Sequence, residues 1–303
     1  MSTSVKAWIS AFRLRTLPLA LASIFLGSWL AAADNGFRWE ILGLCALTTI
    51  LLQILSNLAN DYGDSIHGAD LVKERQGPSR AVQSGKISLA DMKLGMIICG
   101  VLAFISGLTL LYVAFGDLQQ AFWIFLLLGL AAIAAAVTYT AGAKPYGYAG
   151  LGDISVLIFF GWVGVIGTYY LHTLQFNAIL LLPATACGLL ATAVLNINNI
   201  RDIASDTKAG KRSIPVRLGA DRAVLYHWLL LFGAVGCALI YAILLGKGFY
   251  PLLFLGAVPA LVRNGLAVSQ LRRNPAIDAY LKQMALSTLL FVTMLGIGVY
   301  LAG

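Results

Sequence analysis

Long apolar runs separated by short polar segments dominate the chain. A helix needs about 20 apolar residues to cross a bilayer core of roughly 30 Å. Nine stretches reach or approach that length: residues 17–33, 41–60, 94–115, 119–139, 151–171, 178–197, 224–245, 249–268 and 284–302. The runs are continuous rather than alternating, which suits helices and not the strands of a membrane barrel. The remaining polar residues gather between the runs and at the ends of two of them. The pattern predicts an all-α fold: a polytopic membrane helical bundle of nine transmembrane helices, forming a single domain over 1–303.

Composition agrees with this. Hydrophobic residues make up 59% and charged residues 11%, against about 25% charged in soluble domains. The net charge of +8 raises the question of nucleic acid. Nineteen of the 21 lysines and arginines, however, fall in alternate segments between the runs, and only Arg38 and Lys247 lie on the other side. That is the positive-inside asymmetry. It places the N-terminus in the cytoplasm and the C-terminus outside, and it excludes a nucleic-acid binder. The run from Leu17 to Ala33 follows Lys6, Arg13 and Arg15 like a secretory signal, but it is long for a signal core and reads as an uncleaved first helix. Cys45, Cys99, Cys187 and Cys237 are isolated inside apolar runs, with neither zinc spacing nor a disulfide framework.

Chemistry concentrates at two helix ends. At the end of the second span, Gln53, Asn57, Asn60, Asp61 and Asp64 recur at intervals that trace one helical face. A polar stripe on a membrane helix must face the bundle interior or a watery cavity. Two carboxylates on it repel unless a cation lies between them, and clusters of Asp and Asn oxygens are natural ligands of Mg²⁺. The sixth span ends alike, with Asn198, Asp202 and Asp206 spaced by four and Lys208, Lys211 and Arg212 following. These cations suit phosphate oxygens. Helix capping explains the acids poorly, because a carboxylate near a helix C-terminus opposes the macrodipole. Asp91 differs: Ser88-x-x-Asp91 reads as a capping box opening the third span. A third polar element runs from Tyr139 through Lys144, Tyr146 and Tyr148 to Gly152-Asp153. Lys144 suits a phosphate or a substrate carboxylate, or serves as a plain cytoplasmic anchor. The tyrosines are by default interface-belt residues, the alternative being that they line an aromatic substrate pocket. The two acidic helix ends, each followed by a long basic loop, also suggest a faint four-helix internal repeat with a ninth helix appended.

These three motifs, in this order, resemble the UbiA superfamily of intramembrane aromatic prenyltransferases, from Arg13-Leu14-Arg15-Thr16-Leu17-Pro18 to about Gly219. The family's Asn-Asp-x-x-Asp-x-x-x-Asp motif matches Asn60, Asp61 and Asp64. Its last acid would fall at Gly68, with Asp70 nearby. Its Asp-x-x-x-Asp motif matches Asp202 and Asp206. Lys144 fits the family's Tyr-x-x-x-Lys element, but Tyr139 lies one residue too far away. Gly77-Pro78-Ser79-Arg80 and Gly210-Lys211-Arg212-Ser213 resemble the branch acting on 1,4-dihydroxy-2-naphthoate. The resemblance implies a UbiA-like bundle in a bacterial plasma (inner) membrane with its site facing the cytoplasm. It implies polyprenyl diphosphate and 1,4-dihydroxy-2-naphthoate as substrates, and Mg²⁺ held by Asn60, Asp61, Asp64, Asp202 and Asp206. Arg80, Lys211 and Arg212 then grip diphosphate, Lys144 or Arg15 meets the aromatic acid, and Gln53, Asn57, Tyr139, Tyr146 and Asn198 complete the substrate contacts. Two alternatives are a same-fold enzyme using another acceptor, such as 4-hydroxybenzoate, a chlorophyllide or a glyceryl phosphate, and an ion-coupled transporter. The acids crowd at one membrane edge rather than the midplane, which argues against transport.

Overall fold

The computed structural model describes residues 4–67 and 80–303. The short helix α1 (Val5–Phe12) starts at Ser4, whose Oγ accepts the Lys6 N–H at 3.2 Å. It stops at Arg13, which takes the left-handed conformation with φ 48°. A single 3₁₀ turn, Leu14–Thr16, then leads into α2 (Leu17–Ala33), with Pro18 in the first turn, where its missing N–H costs nothing. The next helices are α3 (Trp39–Ile66), α4 (Leu89–Phe115) and α5 (Gln120–Thr138). Ser88 caps α4 as its sequence predicts: its Oγ accepts the Asp91 N–H at 3.0 Å and donates to the Asp91 carboxylate at 2.8 Å.

The fifth crossing is composite: α6 (Gly152–Val156), a π-helical stretch Leu157–Ile166 and α7 (Gly167–Thr173). Then come α8 (Leu181–Arg201), the short helices α9 (Ile203–Lys208) and α10 (Ile214–Leu218), and α11 (Ala220–Leu245). A 3₁₀ segment, Tyr250–Ala257, runs into α12 (Val258–Leu271), and α13 (Asp278–Ala302) closes the bundle. Among the described residues, nine helical stretches are long and apolar enough to cross a membrane.

The structure departs from the sequence reading in three places. Both motif helices outrun their apolar stretches, α3 to Ile66 and α8 to Arg201, because their polar residues are sheltered inside the bundle. The π-helical widening has no signature in hydrophobic periodicity. The last helix is no appendage: α13 packs on α2, α8 and the Tyr250–Ala257 segment. Its Phe291, Val292 and Leu295 are fully buried in one core with Leu26, Leu190 and Ala234. Glycines permit the closest crossing. A Cβ on Gly161 would lie 2.7 Å from the Ala184 carbonyl, and one on Gly188 would lie 2.9 Å from that of Leu157, so the π segment and α8 meet backbone to backbone.

Outward-facing residues such as Leu94, Ile97, Val101, Leu127, Leu229, Phe232 and Ile243 are exposed. So continuous an apolar surface is stable only against lipid. Gly303 ends beside Ala33, at the opposite end of α2 from α1. The termini therefore lie on opposite faces, as an odd number of crossings requires.

Candidate active site

The ends of α3 and α8 meet through one lysine. Lys211 Nζ lies 3.3 Å from Asp64 Oδ1 on α3 and 3.3 Å from Asp206 Oδ1 on α9. It also sits 5.0 Å above the Tyr148 ring, and the Tyr148 hydroxyl donates to Asp64 Oδ1 at 3.0 Å. Arg80 holds Asp64 Oδ2 and donates to the Asn60 carbonyl. Asp64 is 2% exposed and Asp206 6%. Burial pushes the Asp206 carboxyl up to about 6, with Lys211 opposing and Asp202 and Asp64 reinforcing the rise. Burial and the Asp64 charge raise the Tyr148 phenol as well. Gly63 lets α3 reach this segment, since a Cβ there would clash with the Thr140 carbonyl. These groups line a polar cavity of about 540 Å³.

The other candidates divide. Asp61 lines the cavity, but its oxygens accept the N–H groups of Ala81 (3.0 Å) and Val82 (3.3 Å), so it anchors the segment that carries Arg80. Asn60 lines the cavity and accepts the Thr140 hydroxyl at 2.9 Å. Asp202 is gripped by Arg201, Nε to Oδ1 at 2.8 Å and Nη2 to Oδ2 at 2.5 Å. Arg201 also holds Asp278 of α13 and donates to Asn198 Oδ1 at 2.8 Å. Arg15 reaches the same Asp278 at 3.2 Å. Asn57 donates to the Phe12 carbonyl (2.9 Å) and the Thr16 hydroxyl (3.1 Å). It ties the N-terminal turn to α3 and lines neither cavity. Lys144 and Arg212 are exposed and also line neither cavity. Their positively charged side chains face outward at a loop surface, so the expected roles in substrate binding find no support in position. Gly68, Asp70 and Gly77-Pro78-Ser79 lie outside the described residues.

Sequence reasoning missed Tyr148, Arg201, Asp278 and Ser213. Ser213 lines the polar cavity, and its buried Oγ has no hydrogen-bond partner among the described residues. Arg201 and Tyr148 stood inside motifs already singled out, but as an anchor charge and an interface aromatic. Asp278 carried no local signal, since only the packing of α13 brings it to the site.

A second, apolar cavity of about 390 Å³ continues from the first, sharing Thr16, Leu19, Asn60, Tyr139 and Leu195 as walls. It runs between α2, α3, α4, α5 and the π segment toward Cys45, Leu111 and Leu171, with Gln53 and Tyr146 on its wall. From Asn60 to Cys45 the helical rise is about 22 Å. Tyr146 is fixed by its hydroxyl contacts to the Ala135 carbonyl (3.1 Å) and Ser155 (2.9 Å). The wall residues Phe104, Leu108 and Leu130 are exposed, so this cavity is not sealed inside the bundle.

Among the described residues no three acidic side chains gather closely enough to hold a metal ion by themselves. Asp64 and Asp206 nevertheless aim at one shared cation position, where the Lys211 ammonium stands. Their all-oxygen chemistry suits Mg²⁺ completed by water and phosphate.

A charged cavity opening into an apolar tunnel, at one end of a membrane bundle, defines a polytopic membrane protein that handles amphiphilic molecules. The model of the UbiA prenyltransferase family matches residues 20–297, and the chain belongs to that family. It is 47% identical, over 98% of its length and 97% of the relative's, to the 1,4-dihydroxy-2-naphthoate octaprenyltransferase of Haemophilus influenzae. It is 46% identical to the protein of the same name from Escherichia coli, over 98% and 96%. Among solved structures, the apo UbiA homolog from Aeropyrum pernix K1 superposes with a TM-score of 0.64 at 19% identity, covering 95% of this chain and 98% of that one. A UbiA homolog from Archaeoglobus fulgidus bound to GPP and Mg²⁺ gives 0.54 at 17% identity, covering 94% and 99%.

Proposed function

We propose that this protein transfers a polyprenyl group from polyprenyl diphosphate to 1,4-dihydroxy-2-naphthoate, with loss of CO₂ and diphosphate, giving demethylmenaquinol for menaquinone biosynthesis. The site faces the cytoplasm from a bacterial inner membrane. The observation that carries the reaction class is the seam between the two cavities: cations and acids on one side of Tyr139 and Leu195, an apolar tunnel on the other. The acceptor is inferred from the near-full-length likeness to the two naphthoate relatives.

Lys211 and Arg80 bind the diphosphate head, with the Ser213 hydroxyl as a further donor. Asp64 and Asp206, with Asp61, Asn60 and Asp202 behind them, hold Mg²⁺. When bound, the ion neutralises charge that builds on the departing diphosphate. Arg80 and Lys211 oppose the same charge from fixed positions, which requires no reorganisation as the bond breaks. The tunnel wall takes the prenyl tail and keeps water from the allylic carbon.

The test is product analysis with 1,4-dihydroxy-2-naphthoate and farnesyl or longer diphosphates, with Mg²⁺ and with chelator. Prenylated, decarboxylated product that disappears on chelation and in Asp64→Asn is expected. Wild-type rates in Asp64→Asn would contradict the site. Product only with 4-hydroxybenzoate would contradict the acceptor.

A further inference from the structure

The carboxylates around the polar cavity differ in their partners. Asp64 and Asp206 share Lys211, Asp64 also holds Arg80, and Asp61 receives two backbone N–H groups. Asp153, in the first turn of α6, lines the same cavity and is 7% exposed. Among the described residues no cation pairs with it. Its side-chain partner is a phenol, the Tyr226 hydroxyl, which donates to Oδ1 at 3.0 Å. A carboxylate held by a neutral donor, in a place where its neighbours are neutralised, has a charge available for a proton.

Its place matters as much as its partners. Ser155 and Val156, two and three residues further on, line the apolar tunnel, and Tyr139 lines both cavities. Gly152 lets the Tyr139 hydroxyl come against the start of α6, since a Cβ there would be 2.9 Å from that oxygen. Asp153 therefore stands at the seam. The head group of a bound prenyl diphosphate lies on one side of that seam and its tail on the other. The allylic carbon, and the ring that attacks it, must lie close by.

We propose that Asp153 is the residue that receives the hydroxyl proton of the aromatic acceptor, an assignment that rests on the prenyltransferase reading. The acceptor O–H bond breaks and its proton moves to the Asp153 carboxylate. The oxygen's electrons feed the ring, and a ring carbon bonds to the allylic carbon. The allylic C–O bond breaks, and its electron pair leaves on the diphosphate. The ring–carboxylate bond then breaks, CO₂ departs, the freed electron pair restores the aromatic ring, and the proton returns from Asp153 to the ring oxygen. The Tyr226 hydroxyl holds the carboxylate in place, and Tyr139 borders the ring's approach.

The experiment compares wild type, Asp153→Asn and Asp153→Glu on a set of dihydroxynaphthoates whose hydroxyl acidity is graded by ring halogens. Binding of an unreactive prenyl thiodiphosphate is measured alongside. The expected result is a loss of turnover in Asp153→Asn of about 10²- to 10⁴-fold on the parent acceptor. That loss should shrink steadily as the hydroxyl becomes more acidic, because an acceptor that enters ionised needs no base. Thiodiphosphate affinity should stay within about twofold of wild type, as expected for a residue that touches only the acceptor. Where the amide variant does not fold, Asp153→Glu decides: about tenfold loss on weakly acidic acceptors and none on strongly acidic ones. Unchanged turnover, or an equal loss across the whole set, overturns the assignment. Wild-type protein that prenylates no acceptor refutes instead the reading on which it rests.

Discussion

Lys211→Met removes a side chain that pairs with an acid from each motif, Asp64 and Asp206. At an effective dielectric of about 20, opposite charges separated by the observed 3.3 Å attract by about 5 kcal/mol. Most of this offsets the cost of burying the charges. Stripping one partner from a buried pair typically costs about 3–5 kcal/mol. Arg80 still neutralises Asp64 in the variant, so the lower figure applies and the orphaned group is Asp206. Burial holds that carboxyl at about 6 in the folded protein, against an ordinary 3.8. A raised folded value means that stability is fully present below about pH 4 and falls as pH rises through 6, by about 3 kcal/mol in all. Without Lys211 the folded value climbs further and the falling window extends past neutrality. The variant should therefore lose about 3 kcal/mol relative to wild type at pH 8 and about 1 kcal/mol at pH 5. Thermal unfolding in detergent micelles measures this, at about 2–4 °C per kcal/mol for a chain of this size class. Added Mg²⁺ should raise the variant's midpoint more than that of wild type, because the ion can take the vacated cation position. Equal losses at both pH values, or no loss, would refute the bridging role.

Arg201→Met strands Asp202 and leaves Asp278 to Arg15 alone, and should cost about 3 kcal/mol. Adding Asp278→Asn should recover part of that, which a double-mutant cycle in the same unfolding assay measures. Gly107→Phe puts a ring into the tunnel from a position whose nearest foreign atom is 3.7 Å away. It should raise KM for long prenyl diphosphates at least tenfold while sparing dimethylallyl diphosphate, read from initial rates over a donor series. Gly188→Ala drives a methyl against the Leu157 carbonyl and should lower the unfolding midpoint by the equivalent of about 1–3 kcal/mol.

Periodicity and charge were enough for much of the protein. Nine apolar runs of membrane length can be satisfied only as helices, since lipid offers backbone groups no partner. The lysines and arginines fall mostly in alternate segments between them. Spacings of three and four drew attention to Asp61 with Asp64 and to Asp202 with Asp206, because side chains on a helix recur at that interval, but the second pair falls across the break between α8 and α9. Asn60 and Lys211 were legible because they stand within a few residues of an acid, whereas Arg80, far along the chain from Asp64, was legible only through the family resemblance.

Tertiary structure decided how those acids are occupied. No local rule says that Lys211 spans Asp64 and Asp206, that Arg201 turns onto Asp202, or that Asp61, at the cavity wall, takes the backbone N–H groups of Ala81 and Val82. These pairings depend on which helix ends converge. Asp278, 263 residues beyond Arg15, joins the site only because α13 is packed into the centre of the bundle. Lys144 and Arg212 sat beside the motifs in sequence but are exposed and line neither cavity. A helix imposes its own period on its residues. The partner across a cavity is chosen by packing between helices, and side-chain volumes and glycine contacts far from the motifs determine that packing.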